Sequence, residues 1–190
     1  RTLVNLKAME LMGYDAVAVG DDEFNFGKEF LGDNIAKTKI AFLACNLSAL
    51  FKPYLIKEVA GIKIGIIGVT APLAAQKADG LEFIDPKIAV AAQVAALKEK
   101  GVNVIALLSN LNETENLNLI NNIKGINLLI GNGSKDVLFK KEAGTFIVKP
   151  SWQGRRLDKI SVFVKDGLAI DIKAEDLRLS DKLKDDPQIL

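Results

Sequence analysis

Histidine is absent from the 190 residues of this sequence. Imidazole is the commonest general acid or base and the commonest transition-metal ligand, so any chemistry assigned to the chain has to run without it. A single cysteine, Cys45, excludes an internal disulfide framework but does not fix a compartment. Charge of one sign is missing too. The 25 basic residues face 24 acidic ones, for a net charge of +1, and a nucleic-acid partner would need a one-signed basic face. Long apolar runs are also lacking: 62-IKIGIIGV-69 and 102-VNVIALLS-109 fall far below the ~20 residues that cross a bilayer. What remains is 49% hydrophobic and 26% charged, enough for one sizeable domain with a real core.

Periodicity sets the order of elements. Leu3, Leu6, Met9, Leu11 and Met12 form a helical apolar stripe that predicts a helix over 1–13, closed by Gly13. No signal peptide precedes it, and a start inside an element implies upstream chain. Residues 15–19 read as a short strand running into the loop 20-GDDEFNFG-27; residues 28–34 suit a short helix, and 40–45 a further strand. The segment 53–69 reads as a β-hairpin turning at Ala60-Gly61. Asp85 and Pro86 open a helix that Gly101 closes, through a cap and a first-turn proline. Then come a strand at 102–109, a helix at 113–123 and a strand at 126–131. Residues 145–149, 157–165 and 168–174 look like successive strands of a mostly antiparallel end, and 180-SDKLKDDPQIL-190 is polar enough for a linker. β/α units followed by such an end predict an α/β sandwich with mixed sheets.

In such layered folds, sites gather in loops beyond the C-terminal ends of strands. Four loops qualify: 20-GDDEFNFG-27, 45-CNLS-48, 109-SNLNE-113 and 131-GNGSKD-136. Their Gly, Asn, Asp and Ser are also ordinary turn formers, so composition alone leaves both roles open. The run 65-GIIG-68 lacks the spacing of a dinucleotide fingerprint. Cys45 is expected to be a small buried residue, because a reactive thiol needs an electropositive setting.

The order of these loops carries a resemblance. Residues 12–27 are similar to a segment in which MGYDAV leads into GNHEFDFG, and 52-KPYLIKEVAGIKIGIIGVTAP-72 resembles KPYVIKEVNGVKIGIIGLTTP almost throughout. Residues 102–112 align with VDVIIALSHLG, 126–136 with IDLIIGGHSHT, and 151–162 resemble SYGRYLGRLDL. On these motifs the chain resembles the calcineurin-like metallophosphoesterases, in the branch of 5'-nucleotidases and UDP-sugar hydrolases. The resemblance implies a four-layer αββα sandwich with its N-terminal strands missing. Residues 1–179 would then be a partial domain and 180–190 a linker toward an absent C-terminal domain.

The resemblance also implies a site for two divalent cations about 3.5–4 Å apart, which bind phosphate and activate water. The family's metal-ligating asparagine of GNHE falls on Asp21, and its leaving-group acid, a histidine, on Asp22. The histidine of SHLG falls on Asn110, and the two of GHSH on Gly133 and Lys135. The family's Asp-x-His pair and second Asp would precede residue 1. Asp21 keeps a hard ligand oxygen, Asn110 is a weak neutral substitute, Gly133 offers no side chain, and Lys135 repels a cation.

The expected function is therefore a 5'-nucleotidase-like domain without catalysis, serving structure or binding in a larger protein. The alternative is a divergent metal-dependent hydrolase using Asp21, Asp22 and upstream ligands. No cofactor is expected; if one binds, it is a divalent cation such as Mn, Zn or Mg. Lys135 could replace a metal's charge and hold an anion such as phosphate or a nucleotide, or be an ordinary solvated lysine. Asp21 and Asp22 could equally serve only to shape their turn, and Glu23, Phe24 and Phe26 to anchor it by packing. Trp152, Arg155 and Arg156 suit either packing or a contact surface. The family implies a periplasmic or extracellular place, with no membrane span and no nucleic acid.

Overall fold

Apolar residues on both faces of consecutive short strands predict a sheet covered on both sides, and that sheet is the centre of the molecule. The computed structural model describes residues 2–47, 50–77, 80–133, 138–151, 156–180, 184 and 186–187. In chain order, the first elements are α1 (Thr2–Leu11), β1 (Ala16–Ala18), a single 3-10 turn (Asp22–Phe24), α2 (Lys28–Ile35) and β2 (Ala41–Leu43). The hairpin β3 (Tyr54–Val59) and β4 (Ile62–Val69) follows, then α3 (Ala74–Lys77), α4 (Pro86–Glu99), β5 (Val104–Ser109) and α5 (Glu113–Asn122). The chain continues through β6 (Leu128–Ile130), β7 (Leu138–Glu142), β8 (Thr145–Lys149), β9 (Arg156–Lys165) and β10 (Leu168–Arg178).

Six strands form one mixed sheet in the order β3-β4-β5-β6-β8-β7, parallel from β4 to β8 and antiparallel at both edges. Its period-2 alternation separates two cores. Ile67, Leu107, Leu129 and Ile147 face α4 and α5, where Val90, Val94, Leu97 and Ile120 are buried. Ala106, Leu128 and Val148 face the other way, toward Ile160 and Ile172 of the antiparallel β9–β10 hairpin. The parallel β1–β2 pair crosses the same face of β4, and α1 and α2 cover it, with Leu6 and Leu31 buried. The layers thus run helix, sheet, sheet, helix, as the α/β sandwich reading expects.

Local chemistry explains the helices that frame the strand ends. The Asp85 side chain accepts from Ile88 N at 3.0 Å and Pro86 stands in the first turn of α4. Asn112 and Glu115 form a reciprocal capping box on α5.

The terminal strands are mostly antiparallel, as expected, in the pairs β7–β8 and β9–β10, but β8 also pairs in parallel with β6 and is buried on both faces. β7 has no counterpart among the expected strands: 138-LFKKE-142 is half polar, as an edge strand can be, and joins β8 through Ala143-Gly144, both at positive φ. The expected first helix forms, and its apolar stripe is only partly buried. Leu6 is buried, whereas Leu3, Leu11 and Met12 are exposed, since the helix meets the β1–β2 layer along one narrow line.

Candidate functional site

The C-terminal ends of β1, β2, β4, β5 and β6 come together at one end of the sheets. They are stitched by backbone bonds: Val19 N donates to Leu43 O, Cys45 N to Gly68 O, and Asn110 N to Val69 O. Beneath them the fully buried Asn46 and Thr70 exchange two hydrogen bonds. Asn46 Nδ2 donates to Thr70 O at 2.8 Å, and Thr70 N donates to Asn46 Oδ1 at 2.9 Å. Thr70 Oγ1 adds a bond to Val19 O at 2.8 Å, so three strand ends share one buried polar knot.

On this floor stands the loop after β1. Its 3-10 turn is held by Glu23, whose Oε2 accepts from Gly20 N at 2.7 Å. Phe24 anchors it from below, buried and edge-on to Phe51 with centroids 6.0 Å apart. Phe26 does not: it is 77% exposed and leans on Phe30. One aromatic of the expected pair is therefore an anchor and the other is a surface residue.

Asp21 and Asp22 face a cation already in place. Lys77, from α3, reaches Asp21 Oδ2 at 2.9 Å and Asp22 Oδ1 at 3.4 Å, and donates to Asn25 Oδ1 at 3.1 Å. The bond from Lys77 holds the Asp21 carboxyl below its usual value, and in return Asp21 above all raises the Lys77 ammonium. Asp22, at the position of the family's acid, has an exposed side chain that also accepts from Asn25 Nδ2.

Asn110 lies directly against this loop, since a Cβ built on Gly20 would stand 3.1 Å from its Nδ2. That nitrogen donates to Asn132 Oδ1 at 3.2 Å, while Asn132 Nδ2 donates to Asn110 O at 3.0 Å. The structure thus places Asp21, Asp22 and Asn110 near one another at the strand ends. Lys135 lies outside the described residues, as do Trp152 and Arg155; Arg156 pairs with Asp176 on β10. Sequence reasoning missed Lys77, Asn132 and the Asn46–Thr70 knot. Each acts through a partner 22 or more residues away, and no local pattern announces it.

These residues do not fit a two-cation centre. Asp21 is engaged by an ammonium, Asn110 offers only a neutral carboxamide oxygen, and Gly133 carries no ligating side chain. Among the described residues, no three His, Cys, Asp or Glu side chains are grouped to hold a metal. Beside the cleft, a cavity of ≈ 180 Å³ is flanked by Asn132 and by Glu113, which Lys149 engages at 2.7 Å. That contact first, and the Lys149 charge next, hold the Glu113 carboxyl low.

Cys45 is buried in the helix-side core, and burial pushes its thiol up to about 12. A thiolate is then scarce at neutral pH. A thiol-exchange reagent should leave the native protein unmodified and react once per chain in denaturant; rapid reaction of the native form would contradict this burial.

No protein-family model matches the chain. The 5'-nucleotidase of Rattus norvegicus is 29% identical over 145 residues, which cover 69% of this chain and 25% of that protein. Among solved structures, the 5'-nucleotidase precursor from Thermus thermophilus has a TM-score of 0.82 at 26% identity, over 94% of this chain and 41% of that one. The calcineurin-like phosphoesterase YfkN from Bacillus subtilis has a TM-score of 0.81 at 21% identity, over 98% of this chain and 70% of that one, which speaks to fold alone. The chain spans about a quarter of the length of the curated relatives it matches.

Proposed function

The chain is a metallophosphoesterase domain of the 5'-nucleotidase family, and we propose that it is a non-catalytic one, kept for structure or binding within a larger protein. The observation that carries this reading is the Lys77 ammonium seated on Asp21, at the position of a family metal ligand. An ammonium 2.9 Å from that oxygen disfavours a divalent cation on it, because the two positive charges repel at such close range. The lost imidazoles act in the same direction, since Asn110 and Gly133 replace two strong donors with a weak one and none.

In this reading residues 1–179 are the domain and 180–190 a connector, and the place outside the cytoplasm rests on the family alone. No helix among the described residues is long and apolar enough to cross a membrane. A phosphate or nucleotide remains the ligand class to test, because the relatives it resembles are 5'-nucleotidases.

The test is hydrolysis of a nucleoside monophosphate, a UDP-sugar and a generic phosphate ester by the full-length protein with manganese, zinc or magnesium. Release of phosphate should not exceed the protein-free control. Metal-dependent turnover that a chelator abolishes would refute the reading. If that turnover fell in Asp21→Ala and Asp22→Ala, it would establish the divergent-hydrolase alternative.

A further inference from the structure

We propose that the ammonium of Lys77 is the resident cation of this cleft, fastening the loop after β1 to the segment after β4 where a metal-dependent relative would use a divalent ion. The inference rests on the non-catalytic reading above and adds to it the group that takes over the ion's structural work.

Three observations support it. The ammonium has three N–H donors, and three oxygens of one short turn lie within reach: Asp21 Oδ2 at 2.9 Å, Asn25 Oδ1 at 3.1 Å and Asp22 Oδ1 at 3.4 Å. Those oxygens belong to residues 52 to 56 positions away in sequence, so the contact joins two separate loops. The join has a firm base, because Ala74 of the same short helix is fully buried with Phe24 in one apolar cluster.

The charges also match the role. Asp21 and Asp22 are adjacent carboxylates whose mutual repulsion opposes the 3-10 turn they share. One ammonium between them offsets part of that repulsion without any dissociable ligand. A metal-held turn depends on ion supply; this one is covalently provisioned. A metal on Asp21 Oδ2 would compete with Lys77, the last residue of α3.

Hydrogen exchange at residues 20–27 and 74–77 tests the proposal in the full-length protein. In the wild type, neither a chelator nor millimolar manganese should change exchange in these segments. Lys77→Met keeps the aliphatic stem and removes the charge, and should speed exchange in both segments by roughly two- to fivefold, the scale of a partly exposed ion pair. In an Asp21→Asn background the same change should have a clearly smaller effect, because coupled groups are non-additive. Unchanged exchange in Lys77→Met, strictly additive effects of the two changes, or protection of the wild-type loop by manganese would each overturn it. Phosphoesterase turnover by the wild type would overturn the non-catalytic reading without touching this cycle. A null cycle in an inactive protein would overturn only the role of Lys77.

Discussion

Gly68→Ala is expected to cost the domain a large share of its folding stability. Gly68 lies on β4, on the face that β2 crosses, and a Cβ there would stand 2.2 Å from Leu43 O and 2.5 Å from Leu43 C. Both are backbone atoms, so no rotamer change relieves the overlap. Moving Leu43 away would strain the Val19 N to Leu43 O bond and the Ala18–Leu43 register, and with them the Cys45 N to Gly68 O bond. Overpacking commonly costs about 1–3 kcal/mol, and a clash against pinned backbone belongs at or above the top of that range. Against a total stability of roughly 5–15 kcal/mol, that is a large share. Gly65→Ala is the control: its Cβ would meet Leu97 Cδ1 at 2.7 Å, which is the end of a side chain that can turn. Chemical denaturation should give a midpoint for Gly68→Ala well below that for Gly65→Ala. Equal midpoints would mean that the two layers slide apart easily, and the rigid crossing described above would be wrong.

That crossing shows where the sequence was legible and where it was not. The hairpin β3–β4, the Asp85–Pro86 start of α4 and the strand β5 were readable because their signals are local: a turn pair, a cap, a run of apolar residues. β7 was not, because its stability comes from pairing with β8 and its own five residues alternate poorly. The loops of the cleft could be listed from strand ends, and family likeness placed Asp21, Asp22 and Asn110 among them. What fills the cleft could not be read. Lys77 lies in 73-LAAQK-77, a stretch with no motif, and becomes informative only when folding sets it on a carboxylate 56 positions earlier. The Asn132 amide likewise gains its meaning from Asn110, across the gap between two parallel strands.

The buried Asn46–Thr70 knot carries the second large effect, at a residue that looks unremarkable in sequence. Asn46→Leu should destabilise the protein by about 2–5 kcal/mol, because it strands the N–H and C=O of Thr70, each worth about 1–3 kcal/mol when left buried and unpaired. Both groups now depend on one carboxamide, at 2.8 and 2.9 Å, and neither Asn46 nor Thr70 touches solvent. Thr70→Val should cost less, about 1 kcal/mol, since it removes only the hydroxyl bond to Val19 O. Asn46→Asp separates bonding from shape. As a carboxylate it accepts from Thr70 N but sets a buried charge against Thr70 O; as a neutral acid it donates there instead. The folded state thus favours the protonated form and raises this carboxyl above its unfolded value. Stability relative to wild type should then be greatest below the unfolded carboxylate range and fall as pH rises through the raised folded value. Denaturant midpoints across pH measure it. A deficit for Asn46→Asp that does not shrink in acid would mean that the knot is held by packing rather than by its two bonds. The floor on which Asp21 and Asn110 stand would then need another source of rigidity.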